Sequence, residues 1–370
     1  MIGNIVVICA VLIIAFFAVV FIVRAVRERR YDNYRVVTEL SGEGALSAEY
    51  VQIGEDFLRC SGDDVILMNA SGQEIWMEPH MMKKPTIDVY QDKSVIYDKK
   101  NSNMSVYDLS GKIGEIHTKL PIIKAKVAKN GVVAAVLEDQ DATWIRIYDV
   151  KGREIASAKT KVDSPGYPVD LSISSDGMSL AVTYLCVRAY KPSSYIVFYE
   201  FGDIGQNQVD NKVSAYTYTD TLVPAIKHLS NDTIVAFRDD GFTIYQGERI
   251  PEEKKVVAIE QNILSVFSDE NHIGFVLKSL DKDKKYRIEI YDRDGELEWT
   301  RNIDIFFEDI SISGDKIILH NKSEFAIYTL KGNLIYQGAI QEGNIEKIVC
   351  IERNRYRVIT DQGYEQIKLV

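Results

Sequence analysis

The sequence contains few residues that form disulfides or bind metals, with four Cys and five His among 370 residues. Cys60, Cys186 and Cys350 fall in different parts of the chain and Cys9 lies in an apolar run, so no Cys-x-x-Cys pair or disulfide framework is predicted. The histidines have no metal-ligand spacing; they are His80, His117, His228, His272 and His320. We therefore predict no metal site and no cofactor.

Signatures of nucleotide and nucleophile chemistry are also missing from the sequence. No glycine-rich phosphate loop opens a helix, and Gly-x-Ser-x-Gly does not occur. Asp139-Gln140-Asp141 and Asp281-Lys282-Asp283 alternate like calcium ligands, but a calcium loop needs further oxygens, a glycine and a closing Glu. We interpret both segments as solvated hairpin tips.

Outside one short segment, acidic residues outnumber basic residues. The net charge is −10, and residues 24–30 carry four Arg and one Glu, so the rest of the chain carries −13. Non-specific nucleic-acid binding requires clustered positive charge to displace counterions. The acidic remainder therefore excludes nucleic acid as a predicted partner.

The N-terminus has one long apolar run. Ile5 to Val23 is nineteen residues without a charge, which suits a helix crossing a hydrocarbon core of about 30 Å. A cleaved signal peptide is disfavoured because its apolar region is shorter and follows a basic head. We predict a single-pass transmembrane anchor over residues 1–30, with the bilayer as partner of residues 5–23. The arginine collar at 24–30 follows the span and favours a cytoplasmic location for the rest.

A unit of roughly 40 residues recurs between Glu49 and Val370, and a period of that length made of short strands is typical of a β-propeller. Each copy contains short apolar strands, and the third strand runs into Tyr-Asp-x-x-Gly or a degenerate form of it. Examples are Tyr107-Asp108-Leu109-Ser110-Gly111, Tyr148-Asp149-Val150-Lys151-Gly152 and Tyr291-Asp292-Arg293-Asp294-Gly295. The fold class is therefore all-β, with about eight four-stranded blades and seven as the alternative.

The two ends of the repeat region look complementary. The last copy supplies only three strands, whereas Tyr34–Leu40 forms a spare strand before the first copy. We predict a propeller domain over residues 31–370, closed by pairing of residues 34–40 with the C-terminal blade, because closure removes exposed sheet edges.

A large aromatic side chain follows the turn glycine by four residues in three copies, as Trp76, Trp299 and Tyr336. Such a ring can wedge between neighbouring blades. The position resembles the docking tryptophan of quinoprotein-type propellers. The dehydrogenases of that group also carry adjacent cysteines and an acidic metal-binding set, which this chain lacks, so the resemblance implies packing alone.

The whole chain resembles an uncharacterised bacterial family of membrane-anchored, propeller-like proteins. The resemblance is most specific at Val209–Val213 with Thr219–Pro224, and at Asn231-Asp232-Thr233 with Asp240–Tyr245. It implies no established activity and no catalytic residue. Members usually have a basic head before the span, which implies an extracytoplasmic propeller. The side of the membrane on which the propeller lies is thus left open, because the arginine collar favours the cytoplasmic side and the resemblance implies the extracytoplasmic side.

Two groups of residues are candidate sites. The enlarged fourth copy is rich in tyrosine, and Tyr and Arg are frequent in binding hot spots; the predicted partner surface contains Tyr184, Arg188, Tyr190, Tyr195, Tyr216 and Tyr218. Simple packing of these tyrosines is the alternative. Carboxylates of the blade-entry strands could also meet at a central channel; they are Asp88, Asp170, Asp309 and Glu346.

The function that these patterns favour is non-catalytic. We predict a propeller held at the cell membrane as a rigid platform that binds a protein or a cell-surface polymer. The alternative is a propeller hydrolase or lyase that uses the channel carboxylates, with calcium as a candidate ion. A sensor that signals through the anchor is disfavoured, since only residues 1–4 precede the helix.

Overall fold

The protein is built from eight separate β-sheets. The computed structural model describes residue 16 and residues 29–41, 48–69, 71–140, 142–161, 165–188 and 191–370. The described residues form eight antiparallel sheets of four strands each. This is an all-β, eight-bladed propeller, so the predicted fold class is confirmed and the seven-bladed alternative is excluded.

The chain divides into two compact units. Gly44–Asp304 forms a six-sheet unit, and Met1–Glu43 with Ile305–Val370 forms a two-sheet unit. Each sheet of the six-sheet unit is formed by four strands that are consecutive in the chain. The predicted domain boundary at residue 30 stays a prediction.

The strands of the six-sheet unit are 5 to 10 residues long, except for one of 4. Sheet 1 contains β2 (Glu49–Ile53), β3 (Asp56–Cys60), β4 (Asp64–Met68) and β5 (Glu74–Pro79). Sheet 2 contains β6 (Pro85–Tyr90), β7 (Lys93–Asp98), β8 (Asn103–Asp108) and β9 (Gly111–His117). Sheet 3 contains β10 (Ile122–Val127), β11 (Val133–Asp139), β12 (Ala142–Tyr148) and β13 (Glu154–Lys161).

The second half of this unit repeats the pattern with one longer sheet. Sheet 4 contains β14 (Tyr167–Ile173), β15 (Ser179–Arg188), β16 (Lys191–Glu200) and β17 (Lys212–Thr219). Sheet 5 contains β18 (Ala225–His228), β19 (Thr233–Arg238), β20 (Gly241–Gln246) and β21 (Glu252–Ala258). Sheet 6 contains β22 (Ile263–Ser268), β23 (His272–Lys278), β24 (Tyr286–Asp292) and β25 (Leu297–Ile303). Two short 3-10 helices, Gly205–Asn207 and Val209–Asn211, lie between β16 and β17.

The two-sheet unit combines both ends of the chain. Sheet 7 contains β26 (Asp309–Ser313), β27 (Lys316–His320), β28 (Glu324–Thr329) and β29 (Leu334–Ala339). Sheet 8 contains β30 (Ile345–Glu352), β31 (Arg355–Thr360), β32 (Gly363–Leu369) and β1 (Tyr34–Ser41). β1 pairs antiparallel with β32, from Tyr34 opposite Leu369 to Ser41 opposite Gly363. The N-terminal strand therefore occupies the fourth-strand position of the last sheet.

The Tyr-Asp-x-x-Gly signature forms the turn between the third and fourth strands. Asp149 Oδ1 accepts hydrogen bonds from the backbone N–H groups of Lys151 (3.0 Å) and Arg153 (2.9 Å). Gly152 follows with a φ of 77°, which residues with a side chain rarely adopt. The Asp carboxylate at 292 makes the same pair of contacts in sheet 6. The signature recurs in sheets 3 and 6 because both sheets form the same turn.

The apolar cores lie between neighbouring sheets. In one of them, Val95 and Val106 of sheet 2 pack with Val133 and Ala135 of sheet 3, all fully buried. In the two-sheet unit, Phe325 of sheet 7 packs in one core with residues of sheet 8. Because sheets 2 to 5 are covered on both faces, their strands are apolar without a clean alternation.

Each sheet has two ends, which we name by its first strand. The connector end is the end at which the first strand begins, and the opposite end is the end at which that strand finishes. In the six-sheet unit, backbone hydrogen bonds join hairpin tips to connectors at this end, from Asp239 to Leu222 (3.0 Å) and from Lys278 to Asn262 (3.1 Å). Neighbouring sheets therefore present their connector ends on one side.

The predicted transmembrane run, residues 5–23, lies outside the described residues apart from Phe16. Within the described part of the chain, no helix has the length and apolar character needed to cross a membrane.

Candidate functional site

Two of the predicted channel carboxylates connect neighbouring sheets of the six-sheet unit. Asp88, on β6, accepts hydrogen bonds from Lys126 Nζ (2.6 Å) and from the backbone N–H of Val127 (3.0 Å), both on β10. Asp170, on β14, accepts from Lys124 Nζ (2.5 Å) on β10 and from the backbone N–H of Ile226 (2.9 Å) on β18. Both oxygens of each carboxylate are thus engaged with a neighbouring sheet.

The other two predicted carboxylates belong to the two-sheet unit. Asp309 begins β26, with its Oδ2 3.7 Å from His320 Nε2 and 4.0 Å from Lys347 Nζ. Contact with His320 and the charge of Lys347 lower the pKa of Asp309 against the effect of burial. Glu346 is exposed on β30. Among the described contacts, Asp309 is bonded to His320 and Lys347 and to no second carboxylate of the kind that acid–base hydrolysis requires.

A cavity of ≈ 370 Å³ is lined by the first strands of sheets 2 to 6. Lys227 lines it and donates to the backbone carbonyl of Ser268 (2.6 Å), and burial by the surrounding strands lowers the pKa of this lysine. Beside it, burial lowers the pKa of His228 to about 4, so the imidazole is neutral at pH 7. Its Nδ1 lies 3.1 Å from Ser172 Oγ.

Among the side chains that the structure describes, no group of three or more His, Cys, Asp or Glu residues is arranged to hold a metal ion.

One residue of the predicted partner surface is in the core. Tyr184 is 0% exposed, and its hydroxyl lies 2.7 Å from the hydroxyl of Tyr199, which is also 0% exposed. Burial raises the pKa of Tyr184 well above its ordinary value, so it remains a neutral phenol. The prediction that Tyr184 contacts a partner is wrong, because β15 turns this side chain towards the core between sheets 3 and 4.

Two further tyrosines of that surface pack between sheets 4 and 5. Tyr216 donates to the backbone carbonyl of Pro251 (3.2 Å), and its ring centroid lies 4.8 Å from that of Tyr245. Tyr218 donates to Thr243 Oγ1 (3.2 Å) and also contacts the Tyr245 hydroxyl. Tyr216 and Tyr218 therefore pack between sheets, which was the alternative to a role in partner binding.

The remaining members of the predicted surface lie on one hairpin. Tyr195 is half-buried against the core between sheets 3 and 4. The side chain of Arg188 and the whole of Tyr190 lie outside the described residues.

This β15–β16 hairpin projects beyond its neighbours at the connector end. β14 pairs with β15 only as far as Leu185, and β17 pairs with β16 only from Ser193 onward. The hairpin strands continue to pair with each other to Arg188 and Lys191. Three residues of β15 and two of β16, about 7 to 10 Å at the strand rise, therefore extend past the neighbouring strands. Sequence length indicated an enlarged repeat but not this projection.

Exposed apolar side chains surround the projecting hairpin. Val187 near its tip is 65% exposed, Tyr167 at the start of β14 is 40% exposed, and Leu222 in the next connector is 37% exposed. The connector is held against the hairpin because Asp220 N–H donates to the carbonyl of Pro192 (3.2 Å). We call Tyr167, Val187 and Leu222 with residues 186–188 and 191–192 the hairpin surface.

The rest of the enlargement is a loop at the opposite end of sheet 4. Glu200 is fully buried and accepts from the backbone N–H groups of Gly202 (3.0 Å) and Gly205 (2.7 Å) and from Arg249 (2.6 Å). A Cβ at Gly205 would lie 1.6 Å from the carbonyl oxygen of Glu200, so only glycine fits. The loop is thus ordered around one carboxylate, and Val209 is 83% exposed on it.

Two of the three predicted docking rings contact the next sheet. Trp76 on β5 donates to the carbonyl of Leu109 (3.1 Å) and stacks on Tyr107 with ring centroids 5.7 Å apart. Tyr336 on β29 lies 6.0 Å from the ring of Tyr34 on β1. Trp299 is half-buried on β25.

Solved structures with a similar fold differ widely in sequence. BamB from Moraxella catarrhalis superposes with a TM-score of 0.54 at 11% identity, covering 91% of this chain and 100% of that one. Sqt1 from Saccharomyces cerevisiae superposes with a TM-score of 0.55 at 9% identity, covering 92% and 99%. Such low identities establish the fold alone.

No curated protein matches the chain in amino-acid sequence. One family profile matches residues 27–369, nearly the whole length. The chain therefore belongs to the family of unknown function DUF5711.

Proposed function

We propose that this chain is a membrane-anchored, non-catalytic platform that binds a protein through the hairpin surface of sheet 4. We propose a non-catalytic role because of one observation. Asp88 and Asp170 accept hydrogen bonds from lysines and backbone N–H groups of neighbouring sheets. A general base needs a lone pair directed at the substrate. The hydrolase or lyase alternative loses support because these carboxylates are used to join sheets.

The hairpin surface supports protein binding by its composition and rigidity. It combines exposed Val187, Tyr167 and Leu222 with an ion pair between Lys191 and Asp220 (3.3 Å). Exposed apolar groups with a polar rim are typical of protein contacts rather than of contacts with hydrophilic polymers. The pairing of β15 with β16 as far as Arg188 and Lys191 fixes the backbone on which Val187 stands, which limits the conformational freedom that its backbone loses on binding.

Photocrosslinking tests the proposed surface. A photoreactive amino acid replaces Val187 in the full-length chain, and a matched variant carries it at Val209, which is also highly exposed but lies at the opposite end of the sheet. We expect an adduct of one defined mass from position 187 and none from position 209. Leu222→Asp should abolish the adduct by placing a charge in the apolar contact. Equal adducts at both positions, or capture of a polysaccharide instead of a protein, would contradict the proposal.

Extraction of membranes tests the proposed anchor. We expect the full-length chain to remain in the membrane pellet after treatment with alkaline carbonate, because an apolar run of 5–23 spans the hydrocarbon core. A chain lacking residues 5–23 should be released into the supernatant. Release of the full-length chain under the same conditions would refute anchoring by this run.

A further inference from the structure

The two ends of the two-sheet unit carry opposite charge. At the opposite end of sheet 8, Arg35 on β1 is directly paired with Lys368 on β32, which is directly paired with Arg355 on β31. Like charges in directly opposite positions of a sheet repel each other. Among the described carboxylates, none forms an ion pair with Arg35 or Lys368, and only Glu352 reaches Arg355, at 4.0 Å. We call Arg35, Lys368 and Arg355 the basic row.

Further exposed cations surround the basic row. Arg29 and Arg30 precede β1, Lys331 lies in the turn between β28 and β29, and Arg353 lies in the turn between β30 and β31, all exposed. The acidic residues at this end are Asp32, Asp315 and Glu352. Of these, Asp315 forms an ion pair with Lys316. Cations therefore outnumber acids at the opposite end.

The connector end of the same two sheets is acidic. Glu39 on β1 is directly paired with Glu365 on β32, and both line a crevice with Glu342. Exposed Glu324 and Glu346 lie at that end as well. The two-sheet unit is thus electrostatically polar along its strands.

The described chain enters the two-sheet unit at the basic end. β1 begins there, and the residues before it are held in place: Tyr31 N–H donates to the carbonyl of Ile335 (2.8 Å), and Val370 N–H donates to the carbonyl of Asn33 (2.9 Å). Seven residues, 24–30, separate Val23 from Tyr31, and even a fully extended chain spans at most about 29 Å over these eight residue steps. If residues 5–23 cross the bilayer, the basic end cannot lie far from its surface.

We infer that the basic end of the two-sheet unit binds the anionic headgroups of the membrane that holds the anchor, and so sets the orientation of these sheets on the bilayer. The inference rests on the proposed anchoring by residues 5–23. Anionic headgroups supply the counter-charge that the basic row lacks within the described residues, and attraction is effective within a Debye length of roughly 8 Å. The acidic connector end is repelled by the same surface and points away from it.

Lysine acylation read by mass spectrometry tests this orientation on the unmodified, full-length chain. The chain is reconstituted in nanodiscs of phosphatidylcholine alone or of phosphatidylcholine with phosphatidylglycerol. We expect phosphatidylglycerol to slow acylation of Lys331 and Lys368 several-fold, and high salt to restore it. Lys322 and Lys347, at the connector end of the same sheets, are the internal controls and should be acylated at the same rate in both lipids.

Charge-neutralising variants sharpen the test. Arg30→Gln with Arg353→Gln should remove the protection of Lys331 and Lys368, whereas Lys322→Gln should leave it intact. Unchanged acylation in phosphatidylglycerol, or equal slowing at both ends, would overturn the inference. Equal protection by added polyglutamate in phosphatidylcholine discs would overturn it in favour of an acidic protein partner.

The failure of anchoring is distinguishable from the failure of this orientation. If the full-length chain is not recovered with nanodiscs of either composition, the proposed anchor is refuted and the inference falls with it. If the chain is recovered with nanodiscs of both compositions, but acylation of Lys331 and Lys368 is the same in both, the proposed orientation is refuted and the proposed anchor is not.

Discussion

Glu365 illustrates how one residue can be held in an unfavourable environment. It is directly paired with Glu39, and its Oε2 is buried without a hydrogen-bond partner among the described residues. Burial raises the pKa of Glu365, and the charges of Glu39 and Glu342 raise it further. A carboxyl with a raised pKa favours the folded state most when it is protonated, so this contribution is lost as the pH rises through the raised pKa.

The substitution Glu365→Gln is expected to raise the melting temperature at pH 7, because it removes a carboxylate that is destabilising when ionised. The gain should disappear below about pH 4, where a carboxyl in the unfolded chain is protonated as well. Glu346→Gln, at an exposed position, is the control and should change the melting temperature little at either pH. Thermal melts across this range check the prediction, and an equal gain at all pH values would contradict it.

At the scale of the element, β1 supplies the fourth strand of sheet 8. It pairs along β32 from Tyr34 to Ser41. The Tyr34 ring lies 6.1 Å from the ring of Phe325, and its hydroxyl accepts a hydrogen bond from the backbone N–H of Gln341 (3.1 Å). Without β1, the edge of β32 and part of the core between sheets 7 and 8 would face water.

Deletion of residues 34–40 is therefore expected to lower the melting temperature markedly. Because such a deletion can prevent folding altogether, Tyr34→Ala provides a milder test, with an expected loss of about 2 kcal/mol in the free energy of unfolding. Val37→Ala, on the same strand but 45% exposed, is the matched control and should cost far less. Denaturant titration measures all three, and an unchanged melt of the deletion would show that β1 does not complete the sheet.

At the scale of the whole molecule, polar side chains of the first strands repeatedly bond to the backbone of the next sheet. Asp88 and Asp170 do so in the six-sheet unit, and Ser172 Oγ accepts from the backbone N–H of His228 (2.8 Å). Ser313 Oγ accepts from the backbone N–H of Cys350 (2.9 Å) in the two-sheet unit. These contacts satisfy backbone groups at the first strands, which the within-sheet ladders leave free.

Asp170→Ala should therefore destabilise the fold rather than abolish an activity. It leaves Lys124 and the N–H of Ile226 without their partner, at an expected cost of about 1–3 kcal/mol. Asp203→Ala, at an exposed position of the loop between β16 and β17, is the control. Chemical denaturation gives the difference, and the adduct formed from position 187 should persist in the folded Asp170→Ala protein. A stable Asp170→Ala protein that loses an enzymatic turnover would instead support the hydrolase alternative.

Local sequence patterns were sufficient for most of the architecture. The Asp149 turn and its glycine depend on neighbours within four residues, so their recurrence predicts hairpins in register. The spare strand at Tyr34 and the ring at Trp76 were likewise visible from spacing. The candidate sites were less accessible, because the contacts that occupy Asp88 and Asp170 come from residues 38 and 46 positions away.

The amino-acid sequence by itself determined the repeat and its turns, because these follow from short-range hydrogen bonding and apolar periodicity. The tertiary structure decided between eight blades and seven. Only the tertiary structure decided that Tyr184 is buried, whereas Val187 three residues later is exposed beyond the sheet. It also decided that the channel carboxylates join sheets and that charges separate to the two ends of sheets 7 and 8. These properties depend on which strands become neighbours, and that arrangement is set by long-range packing between repeats rather than within any one of them.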